Sequence, residues 1–261
     1  MKGFYPDDIP VPADLARHYA EAPLPELFAN LDEGLFNLRF LKLKKGQEDK
    51  HREAAAKVAA LKSEVLARGL IKARGVYRFF RAGSAGDHVG LYGASGEKLA
   101  DFAFPRQAGG PRLCLADFVA PAEGGVRDYA ALLAVTCGEG VAALSKKERE
   151  AGSYVRSYLL EALALMLAEA FADVLHFRIR KAWGIAEPDP AVPLLRSKYR
   201  GKRYSFGYPV APDLSNQGPL FDLLRPEADA GIKLTDGFMM EPEASVSAIV
   251  LHNPKALYFA V

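Results

Sequence analysis

Cysteine is nearly absent: Cys114 and Cys137 are the two present in 261 residues. Two thiols cannot build a disulfide scaffold at this length or a four-thiolate zinc site, and in their apolar surroundings both read as core packing. Net charge is equally scarce, since 34 basic residues face 32 acidic ones and leave a formal +2. Nucleic acid is therefore not expected as a partner, because neutralising phosphates needs a basic footprint. No run is apolar enough to cross a membrane: the best stretch, residues 159–175, is broken by Glu161, Glu169 and Asp173, where a span wants about 20 mostly apolar residues. The N-terminus holds Asp7, Asp8 and prolines in place of a signal peptide's basic start and apolar run, so a cytoplasmic address is expected. No Gly-x-Gly-x-x-Gly follows a strand pattern, which argues against a Rossmann-type site.

What is present is half hydrophobic and a quarter charged, the composition of a globular chain with a substantial core. Residues 1–26, rich in proline and small residues, read as a linker or N-terminal arm to one domain over 27–261. Residues 47–70 carry the alanine-rich amphipathic pattern of a helix that stops at Gly69. The period then changes. Short β-prone runs at 76–80, 88–92 and 99–104, separated by glycine-bearing turns, read as an antiparallel meander. Further strands are expected at 113–119 and 131–136, the latter apolar enough to be buried on both faces. Ser145 and Glu148 have capping-box spacing and predict one long helix from there to about Trp183, nearly encircled by apolar residues and so covered on most sides. Proline-rich turns beyond Gly184, a helix at 219–224 and strands at 245–251 and 257–261 complete the reading. Without regular β-α alternation, the expected class is α+β: a single domain with a central twisted antiparallel sheet flanked by helices, including one long buried helix.

Two features point to chemistry. Glu169 lies amid Met166, Leu167, Ala170 and Phe171, where a bare carboxylate would cost several kcal/mol to bury. It either shares a polar stripe with Asp173, four residues on, pairs with an arginine, or receives the ammonium group of a ligand. The second feature is the run Tyr199-Arg-Gly-Lys-Arg-Tyr-Ser-Phe-Gly-Tyr-Pro-Val-Ala-Pro-Asp213. It reads as a stiff loop bearing a cation: Gly207 permits close backbone approach, Pro209 and Pro212 hold the exit extended, and Arg203 can fork onto a carboxylate. An ordinary surface loop is the other reading of the same residues.

Arg203-Tyr-Ser-Phe-Gly207-Tyr208-Pro209 resembles the Arg-x-x-x-Gly-Tyr-Pro signature of the activation domain of cobalamin-dependent methionine synthase. Phe104-Pro-Arg-Gln107, Cys114-Leu-Ala-Asp-Phe-Val119, Ala134-Val-Thr136 with Gly138, Glu169-Ala-Phe171, Leu234-Thr235, Ala244-Ser-Val-Ser247 and Tyr258-Phe259 follow that family's order. The resemblance spans about 27–261. It implies a methyltransferase component that binds S-adenosylmethionine and supports reductive remethylation of cob(II)alamin. Cobalamin would be carried by a partner domain or chain, and the electron would come from a flavodoxin-like donor. By the same resemblance Arg203 grips the ligand carboxylate, while Asp32, Glu169, Tyr208 and Tyr258 line its pocket and Gly207 and Phe259 belong to the binding set. For Asp32 a helix-start role is equally compatible with its context. The sequence departs from the pattern at Ser197, Leu214 and Ala248. No Asp-x-His-x-x-Gly corrinoid motif is present; Asp49-Lys-His51-Arg-Glu-Ala54 lacks its glycine and falls in a charged helical run. A stand-alone reactivator of another corrinoid protein and a non-catalytic S-adenosylmethionine-binding docking module are the other functions compatible with these residues.

Overall fold

The computed structural model describes residues 9–41, 46, 48–186 and 199–261. Its elements run β1 (Arg17–Ala22), α1 (Leu24–Ala29), α2 (Glu33–Arg39), α3 (Glu48–Arg68), β2 (Ala73–Ala85), β3 (His88–Tyr92), β4 (Lys98–Ala103), β5 (Asp128–Thr136), α4 (Val141–Glu150), α5 (Tyr154–Ala182), β6 (Lys202–Ser205), α6 (Gln217–Leu224), α7 (Pro226–Ala230), β7 (Lys233–Leu234), β8 (Met240–Glu241) and β9 (Ser245–Leu251). Seven strands form one antiparallel sheet in the order β4-β3-β2-β5-β9-β6. The long β2 has its edge divided: its first half pairs with β1 and its last residues with β3. This is the expected α+β architecture with a central antiparallel sheet and one long helix.

The period-2 alternation of the central strands splits the core into two layers. Leu133 and Val135 of β5, with Ala248 and Val250 of β9, face α5 on one side; Leu132, Ala134, Ile249 and Leu251 face α6 and the loops on the other. Every residue from Ala130 to Thr136 is buried, as the apolar run predicts for a strand covered on both faces. Helix α5 comes so close to the sheet that Gly75 is the only side-chain size β2 admits there: a Cβ would stand 2.7 Å from Val135 and 3.3 Å from Phe171.

Several elements depart from the sequence-based expectation. The single long helix is two, because Gly152, with φ +78°, breaks the chain after α4. Ser145 is buried inside α4 and does not cap it; its hydroxyl meets Ser157 at 2.6 Å and also reaches Glu161, tying the two helices together. The strand expected at 113–119 is a tight turn at Leu115–Phe118, pinned by Asp117, which accepts from the Cys114 amide at 2.9 Å and from Arg106 at 2.8 and 2.9 Å. No strand forms at 257–261; Leu257 and Ala260 offer their carbonyls to Tyr204 and Gln107 instead. Residues 17–26, read as arm, supply β1 and the start of α1. Farther upstream the carbonyl of Pro10 accepts from Trp183 at 2.9 Å. Ser197 and most of the proline-rich turns lie outside the described residues. Among the described residues no helix is long and apolar enough to cross a membrane.

His176 of α5 is buried beneath the strand that follows, its Nε2–H donating to Gly201 O at 3.1 Å. Burial, with Arg203 and Arg180 nearby, pushes its pKa well below the ordinary imidazole value. An unfolded chain therefore takes up a proton below about pH 6.5 that the folded chain refuses, so this contribution to stability is present above that pH and is lost as pH falls. Urea midpoints at pH 7.5 and 5.5 should fall more in the wild type than in His176→Gln; an equal fall in both would contradict this. Gly75→Ala should lower stability by roughly 1–3 kcal/mol through overpacking. The measurement is the urea midpoint at unchanged slope, and a wild-type midpoint would show that α5 is not in close contact there.

Candidate functional site

The residues read as a cation-bearing loop form an edge strand. Tyr199 and Arg200 lead into β6, where Arg203 pairs with Val250 and Ser205 with Ala248. Alternation then turns Arg203 and Ser205 toward the α5 side and Tyr204 to the opposite layer, where it is 1% exposed. Its polar composition hid this strand from the sequence pattern.

Opposite Arg203, α5 presents two carboxylates one turn apart. Arg203 Nη2 lies 3.0 Å from Asp173 Oδ1 and 3.4 Å from Glu169 Oε2, while its Nη1 is 3.2 Å from Ser205 Oγ. The Arg203 side chain is 13% exposed and that of Glu169 33%, so these charges meet in a partly dehydrated place where attraction is stronger than in water. Burial works against the Arg203 cation, but Asp173 and Glu169 outweigh it and move its pKa up. Burial also raises the Asp173 carboxyl, with Arg203 opposing. Both alternatives for Glu169 that need no ligand are realised together: it shares a stripe with Asp173 and pairs with an arginine.

Beyond Ser205 the chain turns back on itself. Gly207 has φ +85°, a conformation costly for any side chain, and its amide donates to Ala211 O at 2.9 Å while Ala211 N donates to Tyr208 O at 2.8 Å. The exit from Gly207 is thus a closed turn and not the extended segment its prolines suggested. That turn aims the Tyr208 hydroxyl at Glu169, donating to Oε1 at 2.9 Å. Burial and the Glu169 charge raise the phenol's pKa, so it remains a donor.

A cavity of about 330 Å³ opens here, with Met166 and Glu169 from α5, Ser205 and Tyr208 from β6 and its turn, and Ser247 from β9. Met239 and Met240 at the β7–β8 hairpin and Arg39 at the end of α2 complete its wall. An adjoining cavity of about 700 Å³ shares Leu165, Met239, Met240 and Glu243 but brings fewer polar groups together. The sequence did not single out Arg39, Met239 or Met240, since nothing local marks residues that a hairpin or helix end folds over a site. Asp173 was visible only as a spacing, four residues from Glu169.

The remaining expected site residues are dispersed. Asp32 caps α2, accepting from Leu35 N at 2.8 Å, which fulfils its helix-start reading; the cavity is reached by Arg39 at the other end of that helix. Tyr258 packs edge-on against Tyr204 at 5.6 Å, and its hydroxyl is 3.3 Å from that of Tyr199. It lines a separate cavity of about 570 Å³ with Lys202 and Leu257. Phe259 turns away to Phe118, ring centres 6.2 Å apart. So Glu169, Arg203, Gly207 and Tyr208 come together and Tyr258 lies near enough to interact with the Arg203 charge, while Asp32 and Phe259 stand at other places. Of the departures from the family pattern, Leu214 packs against the Gly207 turn and Ala248 is buried between β5 and β6. The Asp49–His51 run is in α3, and among the described residues no group of His, Cys, Asp and Glu could hold a metal ion.

Comparison with known proteins agrees with this architecture. The crystal structure of the MetH reactivation domain bound to AdoHcy superposes with a TM-score of 0.88 at 30% sequence identity, covering 97% of this chain and 83% of that one. The family model described as vitamin B12 dependent methionine synthase, activation domain, matches residues 34–261. The description is that of the activation domain, which is coarser than the methyltransferase component the motifs implied. The chain belongs to the activation-domain family of vitamin B12-dependent methionine synthases.

Proposed function

We propose that this chain binds S-adenosylmethionine at the cavity lined by Glu169 and Tyr208, beside Arg203, and supports the reductive remethylation of cob(II)alamin, restoring methionine synthase to its working state. The observation that carries the proposal is the pairing of Arg203 with Glu169, the carboxylate that lines the cavity, since a guanidinium beside a carboxylate complements both ends of an α-amino acid. Family membership and the likeness to a reactivation domain solved with AdoHcy bound support the same ligand class.

When bound, S-adenosylmethionine supplies a methyl cation from its sulfonium to cobalt that has gained one electron, leaving AdoHcy. The corrinoid arrives on a cobalamin-binding domain, of this or another chain, and the electron comes from a flavodoxin-like donor. Arg203 holds the carboxylate of the amino-acid tail, and Glu169 receives its ammonium while Tyr208 fixes the carboxylate's orientation. Gly207 lets the turn that carries Tyr208 close. No acid or base is required of the protein; its contribution is proximity and orientation.

Two measurements test this. Arg203→Ala should weaken S-adenosylmethionine binding by on the order of 2–5 kcal/mol in calorimetry, the loss expected for one partner of a partly buried charged pair. Equal affinity in the two proteins would refute the site. Mixed with S-adenosylmethionine, a reductant and cob(II)alamin on its carrier domain, the protein should generate the visible spectrum of methylcobalamin. Binding without that spectrum would leave a docking module in place of a reactivator.

A further inference from the structure

The cluster at the cavity holds one carboxylate more than a clamp for an amino acid needs. A single guanidinium nitrogen, Arg203 Nη2, is shared between Asp173 at 3.0 Å and Glu169 at 3.4 Å. The two acids are about equally exposed but differ in what else they meet. Glu169 lines the cavity, makes the longer contact and accepts the Tyr208 hydroxyl. Asp173 lies one turn farther along α5, is like Arg203 not among the residues lining the cavity, and directs its carboxylate to Arg203.

We propose that Asp173 is a positioning residue, the permanent counter-ion that holds Arg203 in place while Glu169 is exchanged from the guanidinium to the ammonium of the ligand's amino-acid tail. The inference rests on the assignment of this cavity to S-adenosylmethionine. A carboxylate entering from the cavity meets the Glu169 contact first, and the longer contact is the easier one to exchange. Afterwards Arg203 is paired with Asp173 and the ligand carboxylate, and Glu169 with the ammonium and Tyr208. Cluster plus tail keep the net charge of −1 that the three side chains have alone, so binding the tail adds no unpaired charge to the site. Were Asp173 neutral, Glu169 would be the remaining carboxylate on the guanidinium, and the ligand would have to break a tighter pair.

The test compares AdoHcy with 5′-methylthioadenosine, two thioethers that differ in that the second lacks the aminocarboxyl tail. Calorimetric titration of the whole chain and of Asp173→Asn should show the AdoHcy dissociation constant rising about tenfold, the size of one charge-assisted hydrogen bond. Methylthioadenosine should change by less than about twofold, and Asp173→Glu should recover most of the AdoHcy affinity. An unchanged AdoHcy constant, or a parallel loss for both ligands, would overturn the positioning role, the second because it marks a general structural defect. If Asp173→Asn does not fold by circular dichroism, Asp173→Ser decides: it should weaken AdoHcy selectively, and an unchanged AdoHcy constant or equal weakening of both ligands overturns the role. Failure of the wild type to bind AdoHcy would overturn the cavity assignment together with this inference, whereas a binding wild type with an unchanged variant overturns the inference alone.

Discussion

The site depends on the contact between one face of α5 and the last strand of the sheet. The Arg203 charge is tolerated at the edge of that sheet because Glu169 and Asp173, a helical turn apart, face it from the helix. Burying a guanidinium without partners would cost several kcal/mol, and burying two carboxylates side by side would cost as much; together they satisfy one another. Packing must therefore set α5 over β6 to within hydrogen-bond distance. The absence of a side chain at Gly75, which lets the helix settle onto the middle of the sheet, belongs to the same requirement. Position along the helix axis is fixed separately, by the buried His176 on Gly201 and by Arg180, whose Nε donates to Arg200 O at 2.7 Å.

That constraint also explains why the clamp residues come from distant parts of the chain yet need no long loop to reach one another. β6 supplies Arg203 and the turn after it supplies Tyr208, so both are placed by the hydrogen bonding of β6 to β9 and of Phe206 N to Ser247 O at 3.2 Å. Sites carried on strands and helices hold their geometry better than sites on loops. The hairpin bearing Met239 and Met240 then closes one side of the cavity with flexible, polarisable side chains.

What the sequence disclosed followed from periodicity and from chemistry that stands out locally. The double-sided burial of β5, the long apolar helix and the run containing Arg203 and Gly207 were legible because each carries its own signal over consecutive residues. β1 and β6 were not, since short edge strands with polar composition have no alternation strong enough to distinguish them from loops. The capping box at Ser145 misled for a related reason: spacing alone cannot tell a serine that caps from one that ties two helices together. Tyr258 and Phe259, adjacent in sequence, point to Tyr204 and to Phe118. Shared membership of a motif says nothing about shared location when the backbone between them is extended.

Charge brings the fold and the proposed ligand together. Arg203, Glu169 and Asp173 sum to −1, while S-adenosylmethionine carries a sulfonium, an ammonium and a carboxylate and sums to +1. On the proposed assignment that opposition, which has greater reach in a partly dehydrated site than in water, would attract the methyl donor beyond the hydrogen bonds made to its tail. AdoHcy, having lost the sulfonium charge with the methyl group, sums to zero and forfeits that attraction. A site built to grip the tail of both molecules equally would be blocked by its own product. On the same assignment the surplus carboxylate on α5 would supply a bias toward the donor that the pairing of one arginine with one glutamate could not.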